Sequence, residues 1–236
     1  MHKISISPEA RAFAVAQRGG AERAFATIDL SKTAHVVIDL QNGFMEPGAP
    51  VEVPAARDVV GSVNAISRAV RQAGGIVVFL RMTVDDDSMA SWSNWFRYFH
   101  TADTTAGFKT SFGRDSHYWT LWPALDVAPE DLKVDKTRFG AFVPGASDLH
   151  AVLQARGIDT LIVTGTLSNC CCESTARDAM QMNYKLIFVA DANAALTDAA
   201  HNATLDNMAM LFADVLTTDE TLGVIAKSAL AVQAAE

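Results

Sequence analysis

The sequence predicts a doubly wound three-layer α/β sandwich, in which helices cover both faces of a six-stranded parallel sheet. From Ala34 onward, short β-branched runs alternate with segments of helical periodicity, which is typical of βαβ units. The 236 residues, half of them hydrophobic, suffice for one sizeable core, and no stretch has the composition of a linker. We therefore expect one α/β domain over residues 31–236, preceded by an arm of residues 1–30.

The predicted strands are short apolar runs that end at polar or turn-forming residues. In chain order they are His35–Leu40, Gly75–Arg81, Leu132–Asp135, Thr160–Thr164, Lys185–Ala190 and Asp214–Thr217. The intervening segments carry apolar residues three or four positions apart, as in Val59, Val63, Ile66 and Val70. That spacing places the apolar residues on one face of a helix.

Two regions depart from the alternation of strands and helices. Residues 1–30 predict an appended helix, with Ser7 as its cap, Pro8 in its first turn and Gly19-Gly20 as its end. This arm is expected to pack on the domain or on a second subunit. Residues 82–130 are rich in aromatics and too long for a simple crossover, which is typical of a lid or a binding loop.

Composition excludes several classes of partner. A formal charge of −8 disfavours nucleic acid, which requires clustered Lys and Arg. The longest apolar runs, such as 76–80, fall far short of the roughly 18 residues that cross a bilayer. The N-terminus lacks the features of a secretory signal, and three consecutive cysteines are a poor disulfide framework. We expect a cytoplasmic protein that acts on a small molecule.

Reactive side chains follow three of the predicted strands. Asp39 ends the first strand, Lys136 follows Leu132–Asp135, and Cys170-Cys171-Cys172 stands where Thr160–Thr164 passes into a helix. The carboxyl ends of parallel strands form the ligand-binding edge of such a sheet, and a helix N-terminus favours thiolate. Singly, the Asp would be an acceptor for the loop and the Lys a surface residue. Together they predict a catalytic site, without choosing among the cysteines.

Three segments resemble the signature blocks of the isochorismatase-like cysteine hydrolase family. They are Ile38–Phe44, Lys136–Phe142 and Thr164–Ala179, and the similarity runs from about Ala34 to the C-terminus. Three blocks in the family's order and spacing are a much stronger signal than any one alone. The resemblance implies a Rossmann-type topology for the sheet and a hydrolytic activity.

The resemblance also implies a triad of Asp39, Lys136 and Cys171. In the family frame, a hydroxyl residue precedes the nucleophile by three positions and a Thr follows it by four. Here the frame is occupied by Ser168, Cys171 and Thr175, which selects the middle cysteine. The two flanking cysteines then fall at variable or packing positions.

A cysteine mechanism follows from that triad. Asp39 would accept the thiol proton and return it to the leaving amine, and we expect Lys136 to lower the pKa of Cys171. The resemblance further implies an oxyanion hole of the Leu167 and Cys171 N–H groups, with a cis peptide bond between Thr166 and Leu167. Water then hydrolyses the acyl-enzyme, so no cofactor is expected.

The substrate class is narrowed by the same comparison of motifs. Ser168–Thr175 is similar to the branch that cleaves ureido and carbamoyl compounds, such as ureidoacrylate amidohydrolases, N-carbamoylsarcosine amidases and biuret hydrolases. Arg81 and Arg138 are candidates for binding a substrate carboxylate, although a surface salt bridge explains Arg81 equally well. Phe44 and Trp95 are candidates for the wall of the substrate pocket.

Nicotinamidases of the family carry a metal site built on an Asp-x-His motif. The corresponding segment here, Arg81–Ser88, contains no histidine. Its three consecutive aspartates, Asp85–Asp87, are typical of a solvated acidic loop. We therefore predict no metal site and disfavour nicotinamide as the substrate.

Two other functions stay open at this point. A vinyl-ether hydrolase acting on isochorismate is one, although family members of that kind often lack the cysteine that is present here as Cys171. A non-catalytic binding module on the same fold is the other, and the retained polar residues disfavour it. The resemblance also implies a homodimer or homotetramer.

Overall fold

A six-stranded sheet forms the centre of the computed structural model, which describes residues 1–233. The strands are β1 (Thr33–Ile38), β2 (Ile76–Met82), β3 (Leu132–Lys136), β4 (Thr160–Thr166), β5 (Lys185–Ala194) and β6 (Asp214–Leu216). All neighbouring strands are parallel, in the order β3-β2-β1-β4-β5-β6. This confirms the predicted fold class. The winding reverses between β1 and β4, the position at which such sheets bind ligands.

Helices flank the sheet on both faces. They are α1 (Pro8–Gln17), α2 (Asn42–Met45), α3 (Val60–Gln72), α4 (Asp86–Ser91), α5 (Ser93–Tyr98), α6 (Ala102–Phe112), α7 (Leu149–Gln154), α8 (Glu173–Gln181), α9 (Asp198–Asn207) and α10 (Thr218–Gln233). Short 3₁₀ turns occupy Leu30–Lys32, Pro54–Val59 and His117–Trp119, and π-helical turns occupy Ser168–Cys172 and Met208–Phe212. Within residues 1–233, no helix combines the length and apolar character that crossing a bilayer requires.

The sheet separates two hydrophobic cores. Alternate residues of a strand point to opposite faces, so Val37 and Phe79 pack with α3 and α10, whereas Val36 and Leu80 pack with α7, α8 and α9. All six residues of β1 are buried. A strand covered on both faces is a nearly continuous apolar run, which is why the pattern of the sequence identified it.

Each strand ends one to four residues away from its predicted end, and β1 and β2 also begin at other residues than predicted. Two of these differences have a clear structural cause. β1 ends at Ile38 rather than Leu40, because Asp39 adopts a left-handed backbone with φ 54°. β5 continues to Ala194 rather than Ala190, because an irregularity in its pairing with β4 brings Asn193 opposite Gly165. Such irregularities often re-aim the chain beside a functional site.

The N-terminal arm lies on the chain's own α/β domain. Ser7 caps α1 and Pro8 is its first residue, as predicted. The Ser5 N–H donates to Asn202 Oδ1 at 3.0 Å, and the Ser7 N–H donates to Asp206 Oδ1 at 2.7 Å. The arm is therefore held along α9. Residues 234–236, which the prediction included in the domain, lie outside the described residues.

The aromatic insertion forms helices α4, α5 and α6 and one continuous aromatic cluster. Its ring pairs include Trp92 with Trp95, whose centroids are 4.2 Å apart, and Trp95 with Phe139 at 5.3 Å. We call the following set the aromatic cluster: Phe44, Trp92, Trp95, Phe96, Phe108, Phe112 and Phe139. The insertion thus packs over the carboxyl ends of β1 and β3 through Phe44 and Phe139.

Candidate active site

Asp39 occupies the turn that follows β1. Its left-handed φ of 54° is tolerated by Asp better than by most residues, and its N–H still donates to the Leu80 carbonyl at 3.1 Å. The side chain is fully buried. The backbone thus leaves the sheet while holding a carboxylate at its carboxyl edge, where burial demands a positive partner.

Lys136 supplies that partner from the end of β3. Its Nζ lies 2.7 Å from Asp39 Oδ2, and both side chains are without solvent exposure. The same Nζ donates to the Arg138 carbonyl at 3.1 Å and approaches Met82 Sδ at 3.8 Å. Since β2 separates β3 from β1, the lysine reaches past Met82 to the aspartate. A buried ion pair of this kind is strongly interdependent.

Cys171 lies in the π-helical turn that joins β4 to α8 and is only 3% exposed. The Cys171 side chain contributes to the pKa shift of Asp39 and to that of Lys136, so its sulfur lies beside the ion pair. The three side chains of the predicted triad therefore come together in one place. Cys172 packs in the core beside α8, while Cys170 is partly exposed.

Gly165 makes this approach of strands possible. Its φ is 129°, and a Cβ at this position would lie 2.1 Å from the Ile38 carbonyl oxygen. No side chain fits there, because the gap is far below van der Waals contact. Glycine therefore lets the end of β4 press against the end of β1, one residue before Asp39. The peptide bond between Thr166 and Leu167, which follows directly, is cis.

The turn around Cys171 is organised by one carbonyl. Leu167 O accepts the N–H groups of Cys170 and of Cys172, each at 3.1 Å, so the Cys171 amide lies between two tethered neighbours. Such a turn presents backbone N–H groups and a thiol on the same short segment. Backbone donors beside a nucleophile are the usual components of an oxyanion hole.

Burial and the neighbouring charges act in opposite directions on both members of the ion pair. Burial raises the pKa of Asp39, and the Lys136 ammonium offsets only part of that effect. Burial alone would lower the pKa of Lys136, but the Asp39 carboxylate and the Cys171 sulfur outweigh it, so the pKa of Lys136 is raised. The two groups lie 2.7 Å apart, so each charge has the other as its buried partner. Asp39 is therefore a stronger base than an exposed carboxylate.

The Lys136 ammonium does act to lower the pKa of Cys171, as expected, but other groups outweigh it, so the expectation of a low thiol pKa is not met. A hydrogen bond with the Cys170 thiol, burial and the negative charge of Asp39 together raise the pKa of Cys171 well above its ordinary value, against the opposing effect of Lys136. The sulfur is thus held as a thiol, with the carboxylate beside it as proton acceptor.

Arg138 follows Lys136 by two positions and faces the aromatic cluster. Its guanidinium donates to Ser91 Oγ at 2.9 Å and lies 5.0 Å from the centre of the Trp92 ring. Partial burial lowers the pKa of Arg138. In the part of the chain that the structure describes, no carboxylate pairs with this guanidinium. Its capacity to bind an anion is therefore available.

Arg81 lies elsewhere. Its guanidinium pairs with Asp135 at 2.7 Å and stacks on Trp119 at 3.8 Å. It lines a cavity of about 460 Å³ together with Arg114 and Lys133, and none of the triad lines that cavity. Arg81 thus forms a salt bridge, one of its two predicted roles, and its contact with substrate stays a prediction.

Phe44 and Trp95 both belong to the aromatic cluster. Phe44 is buried and stacks on Phe112 with centroids 4.9 Å apart, whereas Trp95 is partly exposed and lies between Trp92 and Phe139. Because Phe139 comes three residues after Lys136, the cluster adjoins the site. Whether Phe44 and Trp95 touch substrate stays a prediction.

Several residues that support the site were not identified from the sequence. Gln41 donates to the Met82 and Trp119 carbonyls and accepts from the Met82 N–H at 2.7 Å, which fixes the turn after Asp39. Gln41 lies within the first signature block, Ile38–Phe44, so its position in that motif could have identified it. His2 had no such signal, because its contacts are made some 200 residues away along the chain.

The acidic segment 85–87 is occupied with local contacts. Asp85 caps α4 and accepts from the Ser88 N–H at 2.8 Å, and Asp86 pairs with Lys109. Across residues 1–233, no cluster of three or more His, Cys, Asp or Glu side chains is arranged to hold a metal ion.

Comparison with known proteins assigns the family. The model of the isochorismatase domain family matches residues 33–220, which is most of the chain. This protein belongs to the isochorismatase family. The matched range contains β1 to β6 and the residues Asp39, Lys136 and Cys171, whereas the N-terminal arm precedes it.

Several known proteins are similar to this chain over most of their own length. A Bacillus subtilis protein described as the uncharacterised isochorismatase family protein YwoC is 32% identical over 83% of this chain and 95% of its own. The ureidoacrylate amidohydrolase RutB of Caulobacter vibrioides (strain CB 15) is 30% identical over 83% of this chain and 92% of its own. The crystal structure of a cysteine hydrolase from Pseudomonas syringae superposes with a TM-score of 0.73 at 30% identity, covering 85% of this chain and 95% of that one. The crystal structure of N-carbamoylsarcosine amidase from Thermoplasma acidophilum superposes with a TM-score of 0.62 at 25% identity, covering 80% of this chain and 97% of that one.

Proposed function

We propose that this protein is a cysteine-dependent amidohydrolase that releases ammonia from a small linear amide, with a ureido or carbamoyl acid as its substrate. The observation that carries the proposal is the buried meeting of Asp39, Lys136 and Cys171, three groups from the ends of separate strands. Burial of three polar groups together is unfavourable unless they form hydrogen bonds or ion pairs with one another or with a ligand.

The first half of the reaction uses the thiol and the carboxylate. The Cys171 sulfur attacks the carbonyl carbon while its proton passes to Asp39, so that a C–S bond forms and an oxyanion develops. The N–H groups of Leu167 and Cys171 are the proposed donors to that oxyanion. The Lys136 ammonium keeps the site electrically balanced as negative charge moves from the carboxylate to the oxyanion.

The second half returns the enzyme to its starting state. As the tetrahedral adduct collapses, Asp39 gives its proton to the departing nitrogen, the C–N bond breaks and ammonia leaves a thioester. Water then attacks the thioester carbon, and its proton passes to Asp39 while the C–S bond breaks. A carbamic or carboxylic acid is released and the proton returns to the Cys171 sulfur.

The substrate class is supported by relatives and by Arg138. The relatives include proteins named ureidoacrylate amidohydrolase and N-carbamoylsarcosine amidase, whose named substrates carry a carboxylate as well as a carbamoyl nitrogen. Arg138 is a cation without a carboxylate partner in the described chain, next to Trp92 and two residues from Lys136. We assign it to the carboxylate end of the substrate.

The test measures ammonia release from ureidoacrylate, N-carbamoylsarcosine and simple amides, with pyruvate release from isochorismate assayed in parallel. Wild-type protein mixed rapidly with substrate should gain the mass of an acyl group on Cys171, and Cys171→Ala should show neither ammonia release nor the mass gain. Cys172→Ala is the matched control and should keep activity, because Cys172 packs in the core. Full activity of Cys171→Ala, or pyruvate release alone, would overturn the proposal.

We further propose that the enzyme acts without a cofactor, in the cytoplasm and as a homodimer or homotetramer. Three free thiols are typical of a reducing compartment. The exposed apolar side chains Phe13, Met182 and Leu211 offer area for contact between subunits. Light scattering of the purified protein measures the subunit number, and a monomeric mass at assay concentration would contradict the oligomer.

A further inference from the structure

Ser168 is tied to a buried histidine across the turn that carries the nucleophile. Ser168 Oγ lies 2.7 Å from His201 Nδ1, and both residues are fully buried. Ser168 follows Leu167 directly and precedes Cys171 by three positions. The hydrogen bond therefore joins α9 to the segment that supplies both proposed oxyanion donors.

The N-terminus of the chain completes this arrangement. The His2 ring stacks on His201, with centroids 4.5 Å apart and an angle of 14° between the planes. His2 Nε2 accepts the Ala195 N–H at 2.9 Å, and His2 Nδ1 lies 2.7 Å from Asp198 Oδ1. His2 is thus clamped between the end of β5 and the start of α9, and its ring closes one side of His201.

We assign the direction of this hydrogen bond from the protonation of the His201 ring. Burial lowers the pKa of His201 to about 4, so the imidazole is neutral at physiological pH. The Ala190 carbonyl acts on the ring as an acceptor. Because Nδ1 faces Ser168, we assign the ring hydrogen to Nε2, although no hydrogen bond of regular geometry forms there. A hydrogen on Nε2 leaves Nδ1 as acceptor, so the Ser168 hydroxyl donates. This fixes the rotamer of Ser168.

We infer that Ser168 and His201, with His2 stacked on His201, form a positioning unit that holds the Leu167–Cys171 turn in its reactive geometry. We call these three residues the histidine anchor; the Ser168 hydroxyl bonds to His201, so it is assigned a positioning role and no part in the bond changes. The inference rests on the proposed function, because it concerns the turn that supplies the nucleophile. Displacing such groups by about 1 Å can cost roughly 100-fold in rate, so the anchor acts on kcat.

The activity test separates positioning from stability. Ser168→Ala removes the hydroxyl, and His201→Phe removes its acceptor while keeping a ring that can stack on His2. Each variant should lower kcat by roughly 10- to 100-fold with little change in KM. The double variant should be no worse than either single one, because both remove one hydrogen bond. Ser168→Thr and His201→Asn, which keep a donor and an acceptor at these positions, should restore most of the rate.

The chain offers a matched control elsewhere. Ser67 Oγ lies 3.0 Å from His35 Nδ1, and this pair is also fully buried. Ser67→Ala therefore removes an equivalent buried hydrogen bond on α3, and it should lower stability without changing kcat. If His201→Phe fails to fold, His2→Phe is measured instead. This variant keeps a ring that can stack on His201, but it loses the hydrogen bonds of His2 with Asp198 and with the Ala195 N–H. It should lower kcat several-fold.

A second measurement needs no substrate, so failure of the proposed activity leaves it intact. In a Cys170→Ala/Cys172→Ala background, Cys171 is the protein's one remaining thiol. Loosening the turn should expose this thiol, so Ser168→Ala and His201→Phe should be alkylated by iodoacetamide roughly 5- to 10-fold faster, and Ser67→Ala at an unchanged rate. The inference is overturned if Ser168→Ala matches the background in alkylation rate, or if it keeps wild-type kcat while Cys171→Ala is inactive.

Discussion

The Lys136 ammonium and the Asp39 carboxylate lie 2.7 Å apart with no solvent exposure at either side chain. β2 lies between the strands that supply them. The two residues therefore do not come from neighbouring strands, and their contact crosses the end of β2 at the carboxyl edge of the sheet. Removing one partner leaves the other charge buried without compensation. The two residues are therefore coupled in stability as well as in the proposed chemistry, and the two kinds of coupling can be separated.

The first prediction separates them with a double-mutant cycle. Lys136→Met and Asp39→Asn should each lower the free energy of unfolding by about 3–5 kcal/mol. The double variant should lose much less than the sum, because no charge is left unpaired. Activity should behave differently, falling roughly 1,000-fold or more in all three variants. Denaturant unfolding and kcat/KM measure the two effects, and additive stability losses would contradict the coupling.

The second prediction concerns the protonation of Cys171. In the Cys172→Ala variant, which keeps Cys170, the hydrogen bond with Cys170, burial and the Asp39 charge raise the pKa of Cys171. The alkylation rate of Cys171 should therefore stay low at neutral pH and increase only above the ordinary thiol range, near 8.5. Peptide mass spectrometry distinguishes alkylation of Cys171 from that of Cys170. Adding Asp39→Asn removes the negative charge and should move the midpoint to lower pH. Rate profiles with iodoacetamide test this, and a midpoint below 8.5 before Asp39 is changed would contradict it.

The fold was largely predictable because its pattern is local. Each strand is a short apolar run buried on both faces, and Asp39, Lys136 and Cys171 stand at strand ends in three recognisable blocks. Parallel pairing then brings those ends to one edge. The left-handed turn at Asp39, which shortens β1, comes directly after the close contact between Ile38 and Gly165, and neither feature is visible in the apolar pattern.

What the sequence could not provide was the balance between competing interactions. The charge of Lys136 and the burial of Cys171 act on the thiol in opposite directions, and only the geometry decides which prevails. In the same way, Arg81 is the last residue of a predicted strand and is a plausible substrate-binding residue, yet its guanidinium pairs with Asp135 on the neighbouring strand. His2 and His201 stack across almost the whole chain, a contact for which no local pattern exists.

The third prediction concerns Arg138. Arg138→Gln should raise KM for ureidoacrylate or N-carbamoylsarcosine by roughly 10- to 100-fold, because a charge-assisted pair with the substrate carboxylate is lost. It should have little effect on KM for an amide that has no carboxylate. Arg97→Gln, an exposed arginine of α5, is the control and should match wild type. Equal effects of Arg138→Gln on charged and neutral substrates would show that Arg138 does not bind the carboxylate.

The fourth prediction concerns the dependence of stability on pH. His35 is fully buried between Ser67 Oγ and Thr164 Oγ1, and burial, assisted by the positive charge of Arg71, lowers its pKa to about 3. Below pH 6.5 the unfolded chain binds a proton at this residue and the folded protein does not. Stability should therefore fall as the pH drops from 6.5, by about 1.5 kcal/mol at pH 5 from this residue alone.

His35→Gln tests that assignment, because glutamine retains hydrogen-bonding groups but does not titrate. His201 has a pKa lowered to about 4, so it should keep its own share of the pH dependence in this variant. The free energy of unfolding in urea, measured at half-unit steps between pH 7 and 5, should therefore fall with roughly half the wild-type slope. Most carboxylates titrate below pH 5, and a carboxylate with a raised pKa, such as Asp39, contributes equally to the curves of both proteins. Parallel curves for wild type and His35→Gln would mean that His35 is protonated in the folded protein, and that its two hydroxyl partners do not hold it neutral.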